Sequence, residues 1–130
     1  MKTTPDVLFE KIKTRLTEVA PTEVGFYKYP RSVVGTSITV QPSEVSSTKR
    51  SGEIQALIII TVDSREDGAA IALINLVQQV QQTFIDSQKI NSNLGKLCSE
   101  VTEIENAKII APDPNQGTAQ ALLNFKFSFL

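Results

Sequence analysis

The stretch LLNFKFSFL (122–130) carries three of the six phenylalanines, Phe125, Phe127 and Phe129, at every second position. Side chains alternate between the two faces of a strand, so this spacing puts all three rings on one face with Leu123. Asn124, Lys126 and Ser128 fall on the other. Burying each aromatic or aliphatic side chain contributes roughly 1.5–3 kcal/mol, and only if something apolar covers that face. The pattern therefore demands a sheet with a second layer laid across it.

EIQALIIITVD (53–63) is the longest predicted strand. Ile54, Ala56, Ile58, Ile60 and Val62 lie on one face, with Gln55, Leu57, Ile59 and Thr61 on the other. Apolar residues on both faces mark a central strand, or one covered by a second surface. TSITVQP (36–42) alternates with Ile38 and Val40 inward and is expected to stop at the proline. SEVSSTKRSG (43–52) reads as a long mobile hairpin loop. Glu100 to Ala111 is strand-like with broken alternation, PDPNQG (112–117) is a turn, and the last strand runs from about Thr118 to Leu130.

Two helices supply the covering layer. Thr4-Pro5-Asp6 offers a hydroxyl N-cap, a proline at the first helical position and an acid in the first turn. Leu8, Ile12, Leu16 and Val19 then recur at helical spacing, and Pro21 ends the segment, placing the helix at about 5–19. Asp67 is expected to cap the second helix, which runs to about Ser87 and buries Ala70, Leu73, Val77, Val80 and Phe84. Between Thr22 and Gly35 lie a short extended piece and a loop. The fold class is α+β, a mainly antiparallel sheet with helices packed on one face in the order α-β-β-α-β-β, one domain over 1–130.

Composition narrows function by exclusion. There is no histidine and a single cysteine, Cys98, so Ser-His and Cys-His catalysis, cysteine-based zinc sites and an internal disulfide are all ruled out. With 13 Lys+Arg against 14 Asp+Glu the net charge is −1, and Lys49-Arg50 is the only adjacent basic pair, far short of a nucleic-acid footprint. MKTTPDVLFEKIKTRL has no apolar signal core, and no segment is long and apolar enough to span a bilayer, so an intracellular location is expected. Glu103 and Glu105 would share a strand face, most simply as a solvated surface. No cofactor is implied.

One feature is unusual for an exposed helix: the 18 residues from Gly68 to Ile85 carry no charge. Its polar face is Asn75, Gln78, Gln79, Gln81 and Gln82. Amides are desolvated at lower cost than ions, so part of this helix is expected to face another subunit. The second apolar face of strand 53–63 points the same way. Leu57, Ile59, Gln79 and Gln82 are thus the candidate contacts between subunits.

The order PDVLFEKIKTRLTEV, SITVQPSE, SSTKRSGE, IQALIIITVDSREDGAAIALINLVQQV and ALLNFKFSFL resembles the tail terminator proteins of long-tailed bacteriophages, of the lambda minor-tail-protein-U type. The resemblance covers nearly the whole chain and implies a non-enzymatic virion protein of the tail-neck region, present in host cytoplasm during assembly. It implies a homo-hexameric ring that caps the tail tube protein, ends tail polymerisation and offers its other side to a head-completion or stopper protein. DNA would then be only cargo through the lumen, and no membrane is involved. Within that expectation Lys49, Arg50 and Ser51 form a candidate docking loop, and Tyr27, Tyr29 and Arg31 a candidate aromatic and arginine patch. The alternatives are another neck protein, such as a head-tail stopper or tail-completion protein, and a small oligomeric enzyme using Arg31, Arg65 and a carboxylate such as Glu103 at a subunit boundary.

Overall fold

The structure, a computed structural model, describes residues 4–26, 36–47, 51–65, 67–86, 98–113 and 117–129. Helix α1 (Pro5–Thr17) is followed by β1 (Thr22–Val24), β2 (Ser37–Ser47) and β3 (Gly52–Asp63). Helix α2 (Ala69–Asp86) then leads to β4 (Glu100–Glu103), β5 (Lys108–Asp113) and β6 (Thr118–Phe129). The strands form one sheet in the order β1-β2-β3-β6-β4, with β5 also on β6. Every pairing is antiparallel except β1 with β2. The α+β architecture expected from the sequence is therefore present.

β6 lies in the interior of the sheet. It pairs with β3 along its whole length, from Gly52↔Phe129 to Asp63↔Thr118. Its other side is shared by β4, opposite Phe125 to Ser128, and β5, opposite Thr118 to Leu122. The broken alternation of 100–111 is thus two short strands on one neighbour, with the Ile104 amide still donating to the Asn124 carbonyl between them at 3.0 Å.

Both helices lie on the face made by Ile54, Ala56, Ile58, Ile60, Leu123, Phe125 and Phe127. α1 packs on β1 and β2, and α2 on β3 and β6. Leu8, Ile12 and Leu16 bury the α1 stripe, and Leu73, Val77, Val80 and Phe84 that of α2. Phe84 sits between the β6 rings, 4.6 Å from the Phe125 centroid and 5.2 Å from that of Phe127. At the end of the sheet Gly52 gives way to Phe129: a β-carbon there would lie 2.5 Å from Phe129 Cζ.

Several local expectations change. β2 does not stop at Pro42 but continues to Ser47, so most of the supposed loop 43–52 is strand. Pro42 stays opposite Ala56, and the register shifts between Pro42 and Glu44. A bulge accommodates the extra residue, and the missing N–H is harmless because β1 covers β2 only over Ile38 to Val40. β3 then begins at Gly52. Thr4 is extended at the N-cap but makes no side-chain capping bond. Its hydroxyl instead bonds the Asp6 carboxylate, which holds the Asp6 pKa below its ordinary value. α2 starts two residues after Asp67, with the Ala72 amide donating to the Gly68 carbonyl, and Ala70 is exposed.

Truncating Phe84 to Ala removes the ring that fills the space between Phe125 and Phe127. It should cost about 3–5 kcal/mol in urea unfolding. Ile71→Ser, at an exposed position of the same helix, should stay within about 0.5 kcal/mol of the parent.

Candidate interaction surfaces

The sheet face away from the helices has an apolar centre bordered by polar groups and by two lysines, Lys108 opposite Leu122 and Lys126 opposite Gln55. Leu57 pairs with Gln41 and Asn124, and Ile59 pairs with Thr39 and Leu122. Cross-strand partners in register share a face, so these side chains are neighbours. Leu57 and Leu122 are half-buried. Ile59 is only 5% exposed, so it needs less outside cover than its sequence position suggests. Leu122, which the sequence reading left out, belongs to this centre because it alternates out of phase with the phenylalanines. At one end of the face Lys126 meets Glu53 at 4.0 Å.

Gln79 and Gln82 are exposed on α2, on the side turned away from the sheet, with Asn75 and Gln78. The four predicted subunit contacts therefore do not form one patch. Leu57 and Ile59 lie on one side of the domain and Gln79 and Gln82 on the other. Ser51 is exposed at the start of β3, in the short connection between β2 and β3. Lys49 and Arg50, and the whole Tyr27, Tyr29 and Arg31 patch, lie outside the described residues.

Arg65 and Glu103, the pair that an enzymatic reading would use, are held apart. Arg65 folds back on Asp63: its Nε donates to Oδ1 at 2.9 Å, a terminal nitrogen to Oδ2 at 3.0 Å, and its backbone N–H to Oδ1 at 3.0 Å. Gly117, at φ +66°, passes under this side chain, where a β-carbon would lie 3.1 Å from Arg65 Nε. The Ser64 amide donates to the Gly117 carbonyl at 2.9 Å and ties the corner together. Glu103 pairs with Phe125, seven residues along β6 from Thr118 at the Arg65 corner, or about 23 Å at strand rise. Its carboxylate accepts both bonds from Gln81 Nε2, at 3.1 and 3.0 Å. Glu105 does not share its strand face, because β4 ends at Glu103; it lies 3.9 Å from Lys108. No group of three potential metal ligands occurs among the described residues. No described helix is long and apolar enough to cross a membrane.

Cys98 is buried in the core, and burial pushes its thiol pKa up to about 11. Alkylation should accordingly be slow in the folded protein at pH 8 and become fast in urea, read by mass spectrometry. The Arg65 hydrogen bonds hold the Asp63 carboxyl down to about 2. Because the folded-state pKa is depressed, this stabilisation is complete above about pH 4 and lost as pH falls towards 2. Asp63→Asn should flatten the pH dependence of the urea midpoint across that window and leave its slope between pH 5 and 8 unchanged.

No family model matches the chain, and no curated protein shows significant similarity to it.

Proposed function

We propose that this protein is a tail-terminator-like ring subunit, a non-enzymatic virion component that caps a phage tail tube. Its work is surface recognition: one side of the ring matches the tube protein and the other receives a head-completion or stopper protein. The observation that carries this reading is the pair of different surfaces on opposite sides of one two-layer domain. Among the described residues no helix covers the sheet face that carries Leu57, Ile59 and Leu122, and the outward face of α2 carries Gln79 and Gln82. A closed two-fold dimer uses one self-complementary patch, whereas a head-to-tail ring needs two different patches on each subunit. Neutral amides and aliphatic groups are also cheaper to desolvate than charges. The resemblance in element order supplies the identity of the ring and its partners, and the hexameric count rests on that resemblance alone.

Light scattering of the purified protein, across concentrations and with added tail-tube protein, tests the reading. The expected result is a hexamer, alone or once tube protein is present. Gln79→Glu/Gln82→Glu and Leu57→Lys should each reduce that mass towards the monomer while leaving the circular dichroism spectrum intact. A dimer or trimer indifferent to the tube would overturn the proposal.

A further inference from the structure

The sheet face away from the helices carries its charges in rows, with acid at one margin and lysine at the other. Cross-strand partners in register share a face, so the register itself sets the rows. One row runs from Glu23 on β1 through Thr39, Ile59 and Leu122 to Lys108 on β5. Another, beyond the Pro42 bulge, runs from Glu44 on β2 through Gln55 to Lys126 on β6. Leu57 lies between the two rows on β3. In both, the carboxylate falls on the β1–β2 side of β3 and the lysine on the β6–β5 side. Glu23, Glu44 and Lys108 are exposed and Lys126 is half-buried.

The strand order makes this pattern complementary to itself. β3 is the middle strand, with β2 and β1 on one side and β6 and then β4 and β5 on the other. Two copies can be laid face to face about a two-fold axis that runs along β3 between the sheets. Each residue then keeps its level along the strands while left and right are exchanged. β2 lies over β6 of the second copy, and β1 over its β5. Glu44 meets the partner's Lys126 and Glu23 the partner's Lys108, and each contact occurs twice. Leu57 and Ile59, on the axis strand, meet their own counterparts, and Thr39 lies over the partner's Leu122. Facing sheets pack about 10 Å apart and cross at about 30°, which displaces partners at the margins by about 5 Å, less than the length of a lysine side chain. Glu53 falls over the partner's Glu53, a like-charge pair that Lys126 offsets from 4.0 Å within each copy.

We propose that this sheet face pairs with the same face of a second copy about that axis. An apolar centre alone accepts any apolar partner. Opposite charges at its two margins select a surface whose charges run the other way, and this face turned about β3 is such a surface. The rows at Ser37, Thr39, Gln41 and Glu44 set its length. Rows about 7 Å apart across four to five strands about 4.8 Å apart give a footprint of about 500–650 Å² per copy, or about 1,000–1,300 Å² for the pair, at the lower end of specific interfaces. The pairing does not rest on the ring reading. It occupies one of the two surfaces that the ring would use, so the two assemblies exclude each other there, and the pair is the form expected without tail-tube protein.

Sedimentation of the full chain without tube protein, from micromolar to near-millimolar concentration, should show a dimer in exchange with monomer. Glu44→Lys alone and Lys126→Glu alone should each weaken it about tenfold or more, because each reversal brings like charges together twice. Mixed in equal amounts, the two variants should restore the dimer to within a few-fold of the parent, since one copy of each matches at both contacts. Circular dichroism checks that each variant is folded. Gln79→Glu/Gln82→Glu should leave this dimer unchanged, which separates it from the ring. A parent chain that stays monomeric throughout, single reversals that leave the dimer intact, or a mixture no stronger than its components would overturn the pairing. A dimer that passes these tests and ignores tail-tube protein would overturn the ring and leave the pairing standing. A hexamer at every concentration, with no dimer, would do the reverse.

Discussion

Phe84 stands between Phe125 and Phe127, its ring tilted by 52° to one and 75° to the other. This contact joins the two layers near the C-terminal ends of α2 and β6. Tilted and edge-on aromatic pairs add to simple area burial, and here they also fix where α2 crosses the sheet. With that crossing set, Gln81 comes level with Glu103, Leu73 and Val77 drop into the core, and the amides at 75, 78, 79 and 82 turn outward. β6 is correspondingly the strand with most to hold, pairing with three others. Its phenylalanine face is the floor on which α2 rests, and its other face supplies Leu122 to the surface beneath.

Much of this was legible in the residues because the relevant periods are short and strong. The alternation of Leu123, Phe125, Phe127 and Phe129 gives the last strand and its buried face without ambiguity. The steps of three and four through Leu73, Val77, Val80 and Phe84 do the same for α2. What escaped reading depends on neighbours. Pro42 is a strand breaker when its N–H would be needed, yet here that N–H would point past the end of a three-residue strand. The 100–111 segment lost its alternation because two short strands share one partner, which no single-strand period can express. Ile71 and Ile74 look like ordinary members of an apolar helix until the position of the sheet shows that they miss it.

The candidate surfaces were legible in composition but not in arrangement. A charge-free run of 18 residues is visible at a glance, as is the doubly apolar strand 53–63. That the two end on opposite sides of one layer pair follows only from which face of β3 the helices choose. Ile58 and Ile60 outnumber their neighbours in apolar company, from Val40, Leu123 and Ala121, so the helices settle there and Ile59 takes the reverse face with Thr39 and Leu122. The corner at Arg65 is held by Asp63, two residues before it on β3.

The two shifts in register at Pro42 and at Pro112 have a consequence for how copies of this chain can meet. They fall on β2 and β5, strands at or next to opposite margins of the sheet, while the remaining marginal strands, β1 and β4, are three and four residues long. Prolines, bulges and short strands are the devices that keep one sheet from growing into the next. A chain built this way resists open-ended cross-β stacking, and any assembly it enters is left to be specified by side chains, which can tell one neighbour from another, instead of by backbone, which cannot.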